Sequence, residues 1–187
     1  MLKAVVTAPD ELPIDLSFIQ SHAVVDSGVD EDLLQFLTGA AVARLDGMNG
    51  LLGRAIMPQD VVQAFPRADL YLRLQYGPAF ALNSVSYFDR ENSVVEISNA
   101  RIFEDDAGSF VQLDSLPNAA PRIDAVTVSY RAGWQSAALV PNDVKLAIAM
   151  MVATWYHNRE DMTSQAFSHQ VPGGVRDLIA PYRRVGI

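Results

Sequence analysis

The side chains best suited to catalysis or metal binding are scattered along this sequence. The three histidines, His22, His157 and His169, fall in different segments, and no two have the i, i+4 spacing of a metal-binding helix. A metal site would therefore have to be assembled from distant parts of the chain. Polar surface or capping roles are the favoured interpretation of all three, and the sequence predicts neither a metal site nor a bound cofactor.

Two acidic clusters have simpler explanations than catalysis or calcium binding. Asp30–Asp32 comes just before a helical pattern, where the helix dipole favours carboxylates. Glu104–Asp106 lies between two strand-like runs, which is typical of an exposed hairpin turn. Neither cluster has acids alternating at ligand spacing around a glycine, as a calcium loop requires. Nothing in the spacing selects a carboxylate pair for acid–base work.

No motif for a nucleophile or a bound nucleotide is present: the sequence has neither G-x-S-x-G nor a Walker A pattern. Gly47, Gly50 and Gly53 have the spacing G-x-x-G-x-x-G, but they follow a predicted helix rather than a strand, so a helix end is the better interpretation. The sequence thus predicts that the protein is not an enzyme. The enzyme alternative requires His157 or His169 to converge with carboxylates in a pocket.

Aromatic and basic residues gather late in the chain. The aromatic residues are Trp134, Trp155, Tyr156, Phe167 and Tyr182. Packing in a core or between subunits is favoured over a ligand-stacking platform. The arginines Arg176, Arg183 and Arg184 form a basic group in an acidic chain. They mark either a solvated helix end or a surface that docks on an acidic partner.

The elements that must position these residues begin with a helix over about residues 30–52, ending by residue 53. Its apolar stripe at helical spacing is Leu33, Leu37, Ala40 and Ala41. Residues 1–29 are a lead-in, in which Leu12–Ile19 has room for at least one helical turn.

The sequence pattern changes at residue 54. Residues 54–134 are predicted to form an antiparallel β-rich insertion, either a small sheet or a sandwich. Seven short runs separated by turn residues are predicted strands: Val61–Phe65, Leu70–Leu74, Ser84–Phe88, Val94–Ile97, Ala100–Phe103, Phe110–Leu113 and Ile123–Tyr130. In the second and the last of these runs, apolar and polar residues alternate. Each of those two strands should therefore have one buried face.

Residues 140–187 predict a helical C-terminal part, with a helix over about 141–159 and a short helix near the end. The stretch Leu146–Tyr156 is apolar on nearly every side, and its chain neighbours look too short to cover it. Because such a helix must be buried in a large core or against other chains, the pattern predicts assembly. The face expected to pack within and between subunits is Val144, Ile148, Met151 and Trp155. The whole chain, 1–187, is predicted to be a single α+β domain.

Composition excludes several function classes. The net charge of −8 argues against broad binding to nucleic acid phosphates, which needs clustered lysine and arginine. The chain has no cysteine, so it forms neither disulfides nor thiolate metal sites. No apolar run reaches the roughly 18 residues of a membrane span, and the N-terminus lacks the pattern of a signal peptide. These features predict a soluble protein that is made in the cytoplasm.

Four groups of segments, in order, carry a family resemblance over roughly residues 25–185. They are Asp30–Leu45 with Leu52–Ile56; Phe65–Pro66 with Leu70–Leu74 and Leu82–Asp89; Val126–Trp134; and Val140–Lys145 with Trp155–Glu160 and Pro181–Arg183. In this order they resemble the head–tail connector family of tailed phages, also called adaptor or head-completion proteins. Two regions depart from the family pattern: Tyr76–Ala81 replaces a proline-rich strand entry, and the first 25 residues have no clear counterpart.

The resemblance implies a structural adaptor at the head–tail junction of a virion or phage-like particle, from a phage, a prophage or a gene transfer agent made in a bacterial cytoplasm. It implies a homo-oligomeric ring of twelve copies that binds the portal protein and receives a stopper or tail-terminator protein. DNA would pass through the channel without specific binding, because acidic walls repel phosphates. The candidate portal-docking residues are Arg176, Tyr182, Arg183 and Arg184.

The sequence leaves a different class of function open. A β-rich ligand- or protein-binding module without catalysis would need an exposed aromatic platform on residues 54–134. The candidate residues are Tyr71, Tyr76, Phe80 and Tyr87. Burial of these side chains would exclude the binding module.

Overall fold

The computed structural model of the chain describes residues 4–7, 9, 11–158 and 171–184. It divides the chain into two compact units. The β unit comprises Met1–Asp10, Met57–Gln135 and Gly186–Ile187, and the helical unit comprises Glu11–Ile56 and Ser136–Val185. Helices and antiparallel sheets are both present, so the predicted α+β class is confirmed. The predicted β-rich insertion accounts for most of the β unit.

The helical unit is organised around its longest helix. Its helices are α1 (Leu16–Ala23), α2 (Glu31–Leu45), α3 (Asn142–His157) and α4 (Gly173–Ile179), with short 3-10 turns at Ala137–Leu139 and Ala180–Tyr182. Helix α3 contacts each of the other three helices that the structure describes. The expectation that its chain neighbours are too short to cover it is therefore wrong. The apolar surface of α3 is covered largely within one chain.

Helix α2 ends earlier than its sequence pattern indicated. It stops at Leu45 instead of near residue 52, and a turn follows. The backbone N–H of Leu51 donates to the carbonyl oxygen of Arg44 at 3.1 Å. The N–H of Leu52 donates to the carbonyl oxygen of Leu45 at 3.0 Å. The turn thus gives partners to carbonyl groups that a helix C-terminus leaves unpaired, which confirms the interpretation of the three glycines as a helix end.

The β unit contains two antiparallel sheets. Its strands are β1 (Val5–Thr7), β2 (Gln59–Phe65), β3 (Tyr71–Arg73), β4 (Ala79–Phe88), β5 (Val94–Glu96), β6 (Ala100–Asp105), β7 (Gly108–Leu113) and β8 (Val126–Ala132). A five-stranded sheet has the order β1-β2-β8-β4-β5, and a three-stranded sheet has the order β3-β7-β6. All seven predicted strands are present with shifted ends. The sequence did not predict β1, a three-residue strand in the lead-in that pairs with β2.

Buried polar side chains hold the β unit in register. Gln63 on β2 is fully buried, and its Oε1 accepts from the backbone N–H of Gln75 (2.8 Å) and the hydroxyl of Tyr130 (3.2 Å). Its Nε2 donates to the carbonyl oxygen of Arg73 at 3.1 Å. The Tyr130 hydroxyl also accepts from the N–H of Tyr76 at 3.1 Å. This network joins β2 and β8 of the larger sheet to the chain around β3 of the smaller one.

Candidate interaction surfaces

The described histidines have structural contacts. His22 is exposed on α1, with its ring stacked on Phe18 at 6.5 Å between centroids. The Nε2 of His157 lies 2.9 Å from the carbonyl oxygen of Ala23, so it contacts a backbone group rather than a carboxylate. His169 lies outside the described residues. Among the residues that are described, no three His, Cys, Asp or Glu side chains are grouped as metal ligands.

Both acidic clusters occupy the positions that their sequence context indicated. Asp30 is the residue before α2, where its Oδ2 accepts from the hydroxyl of Tyr156 at 2.8 Å. Asp105 lies at the turn between β6 and β7 and forms a salt bridge with Arg73 at 2.6 Å. The hydrogen bond from Arg73 lowers the pKa of Asp105. The Asp30 carboxylate thus ties the residue before α2 to α3, and the Asp105 carboxylate ties the β6–β7 hairpin to Arg73 of β3.

The predicted packing face of α3 lies mostly inside the helical unit. Val144, Ile148 and Met151 are fully buried, whereas Trp155 is half-buried. A side chain buried among its own neighbours offers no surface to a second copy in this arrangement. Of the four residues, only Trp155 therefore keeps the accessible area that a contact between subunits requires.

The C-terminal candidate residues are anchored to the rest of the helical unit. The backbone N–H of Arg184 donates to the carbonyl oxygen of Leu52 at 2.8 Å. The Nε of Arg183 donates to the carbonyl oxygen of Leu51 at 3.0 Å. The hydroxyl of Tyr182 donates to Asp143 Oδ2 at 3.1 Å, and this bond raises the pKa of Tyr182. Residues 182–184 are thus tied to two other segments of the unit.

Helix α4 presents its basic side chain outward. Arg176 is exposed, while Val175 and Ile179 of the same helix are buried. Arg183 is also exposed despite its hydrogen bond to the turn after α2. The structure therefore brings the predicted basic residues onto one anchored segment and shows at least two of their side chains to solvent.

The four predicted platform residues do not come together as one surface. Tyr71 on β3 is 59% exposed, whereas Tyr76, Phe80 and Tyr87 are half-buried. Phe80 and Tyr87 lie near opposite ends of β4, about 20 Å apart at the usual strand rise. None of the four is buried, so the burial that would have excluded a binding module is not observed.

A smaller aromatic group does exist on the three-stranded sheet. The rings of Phe103 and Phe110 stack at 5.7 Å, and Tyr71 meets Phe110 edge-on at 5.9 Å. The guanidinium of Arg73 lies 5.0 Å from the Phe110 ring centroid. Sequence reasoning missed Phe103 and Phe110, because only the register that pairs them across β6 and β7 shows that they are neighbours.

Comparisons with known proteins converge on one kind of particle. A family model described as head completion protein matches residues 55–185, more than half of the chain. Solved structures with similar folds include a chain of the neck of an empty GTA particle computed with C6 symmetry (20% identity, TM-score 0.74, covering 98% of this chain and 97% of that chain). Another is a chain of the virion of a native gene transfer agent (GTA) particle (18% identity, TM-score 0.72, covering 100% and 97%).

A third similar structure is a chain of the neck of a native GTA particle computed with C12 symmetry (17% identity, TM-score 0.64, covering 98% and 97%). At these identities the similarity shows a shared fold. No curated protein matches the sequence. None of the described helices combines the length and the apolar character needed to span a bilayer.

Proposed function

This chain belongs to the head completion protein family, and we propose that it works as a ring of identical copies at the junction between head and tail. As a member of that family it is a structural head–tail adaptor. The ring binds the portal protein on one side, receives a stopper or tail-terminator protein on the other, and surrounds the DNA channel. The protein carries out no catalysis in this role.

The family match over residues 55–185 is the observation that carries the proposal. The fold supports it over nearly the whole chain, because the structures with similar folds are neck and virion chains of gene transfer agent particles. Two of those necks were computed with C6 and C12 symmetry. Cyclic symmetry is what a closed ring of identical copies has, and twelve copies is the number we propose.

Electrostatics favour DNA passage without specific binding. The net charge is −8, and residues 4–43 contain no lysine or arginine. The acidic residues of this stretch that the structure describes are all exposed: Glu11, Asp15, Asp26, Asp30, Glu31 and Asp32. A surface of one negative sign repels phosphates. A ring built from such copies would let DNA move through it instead of holding it.

The portal-docking role of the C-terminal segment stays a proposal supported by its charge. Arg176, Tyr182, Arg183 and Arg184 lie on α4 and on the residues after it, and the arginines are its basic groups. Arginine pairs well with carboxylates at interfaces because its guanidinium presents several donors in a fixed plane. An acidic surface on the portal is therefore the partner that this segment fits.

The test is to mix the purified protein with portal rings encoded beside it and to image the mixture by cryo-electron microscopy. A symmetric collar at one end of the portal is expected. Deleting residues 175–187 would not isolate docking, because it removes the buried Val175 and Ile179. The double variant Arg176→Glu, Arg183→Glu reverses two exposed charges instead, at the cost of one hydrogen bond to the carbonyl oxygen of Leu51. It should remove the collar, and circular dichroism checks that the fold is intact.

The matched control is Arg67→Glu, Arg90→Glu, which reverses two exposed arginines of the β unit. This control should leave the collar unchanged. Failure of the unaltered protein to bind portal at micromolar concentration would contradict the adaptor proposal. It would favour the binding module instead, for which the supporting observation is the aromatic group of exposed Tyr71 and Phe103 with half-buried Phe110.

A further inference from the structure

Helix α2 carries a large apolar side chain on the side that faces away from its own core. Phe36 is 73% exposed, although the helix buries Leu34, Thr38 and Ala41. At about 100° per residue, Phe36 lies about 200° from Leu34, on the opposite side of the helix. A single exposed apolar side chain is ordinary on a protein surface, so its meaning depends on whether a second surface offers a site that it fits.

The surface around Phe36 is uncharged and shallow. Between Asp32 and Arg44, the outward positions are Gln35, Phe36, Gly39, Ala40 and Ala43. A Cβ added at Gly39 would have no atom within 4 Å, so the space beside Phe36 is open. Phe36 therefore projects from a surface of shorter, uncharged side chains. We name the outward positions Gln35, Phe36, Gly39, Ala40 and Ala43 the α2 face.

The same unit contains an apolar pocket elsewhere. Its volume is about 630 Å³, within the range of ligand pockets. The apolar lining comes from the start of α1, the 3-10 turn before α3, and α3 itself: Pro13, Ile14, Phe18, Ala137, Ala138 and Leu146. Such a pocket has room for an aromatic ring together with parts of the residues beside it.

One copy does not fill its own pocket with Phe36. Helix α2 packs against α3 through its buried side, and the pocket is lined by α1 and α3 without any residue of α2. The α2 face and the pocket are two different surfaces of one unit. Two different surfaces that fit each other produce head-to-tail contacts, which close into a ring when the rotation between copies allows it.

Both surfaces carry charges of both signs at their edges. Arg44 ends the exposed side of α2, and Asp15 and Asp143 border the pocket together with Lys145. Asp32, exposed one turn before Phe36, gives the α2 face an acidic end opposite Arg44, as Lys145 gives the pocket rim a basic group beside its two carboxylates. A contact that places Arg44 near Asp15 or Asp143 gives one orientation an electrostatic advantage.

We propose that adjacent copies of this chain bind head to tail, with Phe36 of one copy inserted into the pocket between α1 and α3 of the next. This proposal rests on the ring of the proposed function and identifies the surfaces that build it. Burial of an aromatic anchor in a pocket of the partner is the usual centre of such an interface. The uncharged residues around Phe36 then exclude water from the contact.

Cross-linking tests the contact directly, because the chain has no cysteine of its own. Ala40→Cys, at an exposed position one turn after Phe36, and Ala138→Cys are introduced together, so that the Phe36 ring stays in place. The full-length protein is treated with a short bifunctional maleimide, both free at high concentration and on portal rings. A ladder of covalent multimers is expected. A mixture of the two single variants should stop at the dimer. Ile123→Cys with Ala138→Cys is the control pair, because Ile123 is exposed on the β unit.

Two substitutions provide a second measurement without disturbing the core. Phe36→Glu removes the exposed ring, and Gly39→Arg places a charge in the open space beside it. Each should weaken association between copies by about tenfold or more, as expected for losing one buried anchor. Sedimentation velocity and circular dichroism together separate lost association from lost folding.

The outcomes distinguish this contact from the proposed function. A collar on the portal without a cross-linked ladder overturns the contact and leaves the adaptor role standing. A ladder without a collar supports the contact and contradicts portal binding. Absence of both contradicts both.

Discussion

The helical unit and the β unit are stabilised in different ways. In the described part of the helical unit, the buried side chains are almost all apolar, and the polar exceptions are Gln20 and Thr38. In the β unit, Gln59, Gln63 and Ser109 are buried. Ser109 accepts from the N–H of Ala79 at 2.9 Å, and Gln63 links three neighbouring segments.

The difference shows how each unit specifies its arrangement. Apolar contacts between helices are non-directional, so the helical unit depends on volume and shape. Two small sheets can slide or pair in alternative registers, and buried hydrogen bonds penalise every register that leaves them unpaired. Removing apolar volume should therefore damage the helical unit most, and removing a polar partner should damage the β unit most.

Ile148→Ala should have the largest effect. Ile148 is fully buried on α3, and truncating such a residue leaves a cavity that costs about 2–5 kcal/mol of unfolding free energy. Denaturant unfolding followed by circular dichroism measures the loss. Leu139→Ala is the control, because Leu139 is 58% exposed and should change stability by less than about 0.5 kcal/mol. Equal effects for both variants would show that α3 is not packed as described.

Gln63→Leu should have the next largest effect on stability, and it should destabilise the β unit. It keeps a similar volume but leaves the N–H of Gln75 and the carbonyl of Arg73 without this partner. Each buried group left unpaired costs about 1–3 kcal/mol. Gln135→Leu, at an exposed position, is the control. If the Gln63→Leu protein is as stable as the unaltered one, buried polar partners do not stabilise the β unit as described.

Gly39→Ala should stabilise the helical unit by a smaller amount. Gly39 lies inside α2, and an added Cβ meets no atom within 4 Å. Replacing glycine in a helix interior by alanine gains roughly 0.5–1 kcal/mol. The thermal midpoint should rise, and association between copies should persist because alanine adds no charge. A lower midpoint would indicate that the space beside Gly39 is filled.

The smallest expected effect on stability comes from the hydrogen bond between Tyr182 and Asp143. The hydrogen bond raises the pKa of Tyr182, so folding favours the protonated phenol. Its stabilisation is complete below the ordinary value of 10.0 and is lost as the pH rises through the higher folded-state pKa. Tyrosinate absorbance of the unaltered protein minus that of Tyr182→Phe should show a midpoint above 10.0. Asp143→Asn should move that midpoint down, and an unchanged midpoint would contradict the assignment.

Strand and helix types were predictable because they depend on periodicity within a few residues. Buried Val126, Val128 and Tyr130 alternate with more exposed neighbours along β8, as their sequence alternation indicated. β1 was missed because three residues carry too little pattern, and its pairing with distant β2 makes it a strand. The end of α2 was placed too late because the hydrogen bonds from Leu51 and Leu52 that replace further helical turns are not visible in a propensity pattern.

For the candidate surfaces too, the sequence predicted some properties and could not predict others. The basic character of Arg176, Arg183 and Arg184 was predictable from composition. The hydrogen bonds that tie Arg183 and Arg184 to the turn after α2, and Tyr182 to α3, were not. Val144, Ile148 and Met151 were predicted to pack within and between subunits; they are buried within one chain, and the sequence could not show that α1, α2 and α4 contact their helix. The sequence did not show that Phe36 is exposed, because most of its neighbours in α2 are also apolar and an apolar residue in such a helix is expected to be buried.

By itself, the sequence determined the α+β class, most of the elements, the acidic balance and the family resemblance. These properties are local or additive, because periodicity, charge and motif order do not depend on which distant residues meet. Only the tertiary structure decided which apolar side chains are covered, which polar ones are buried, and where Phe36 and the pocket lie. Burial and pairing arise from contacts between residues far apart in the chain, and one-dimensional patterns do not record those contacts.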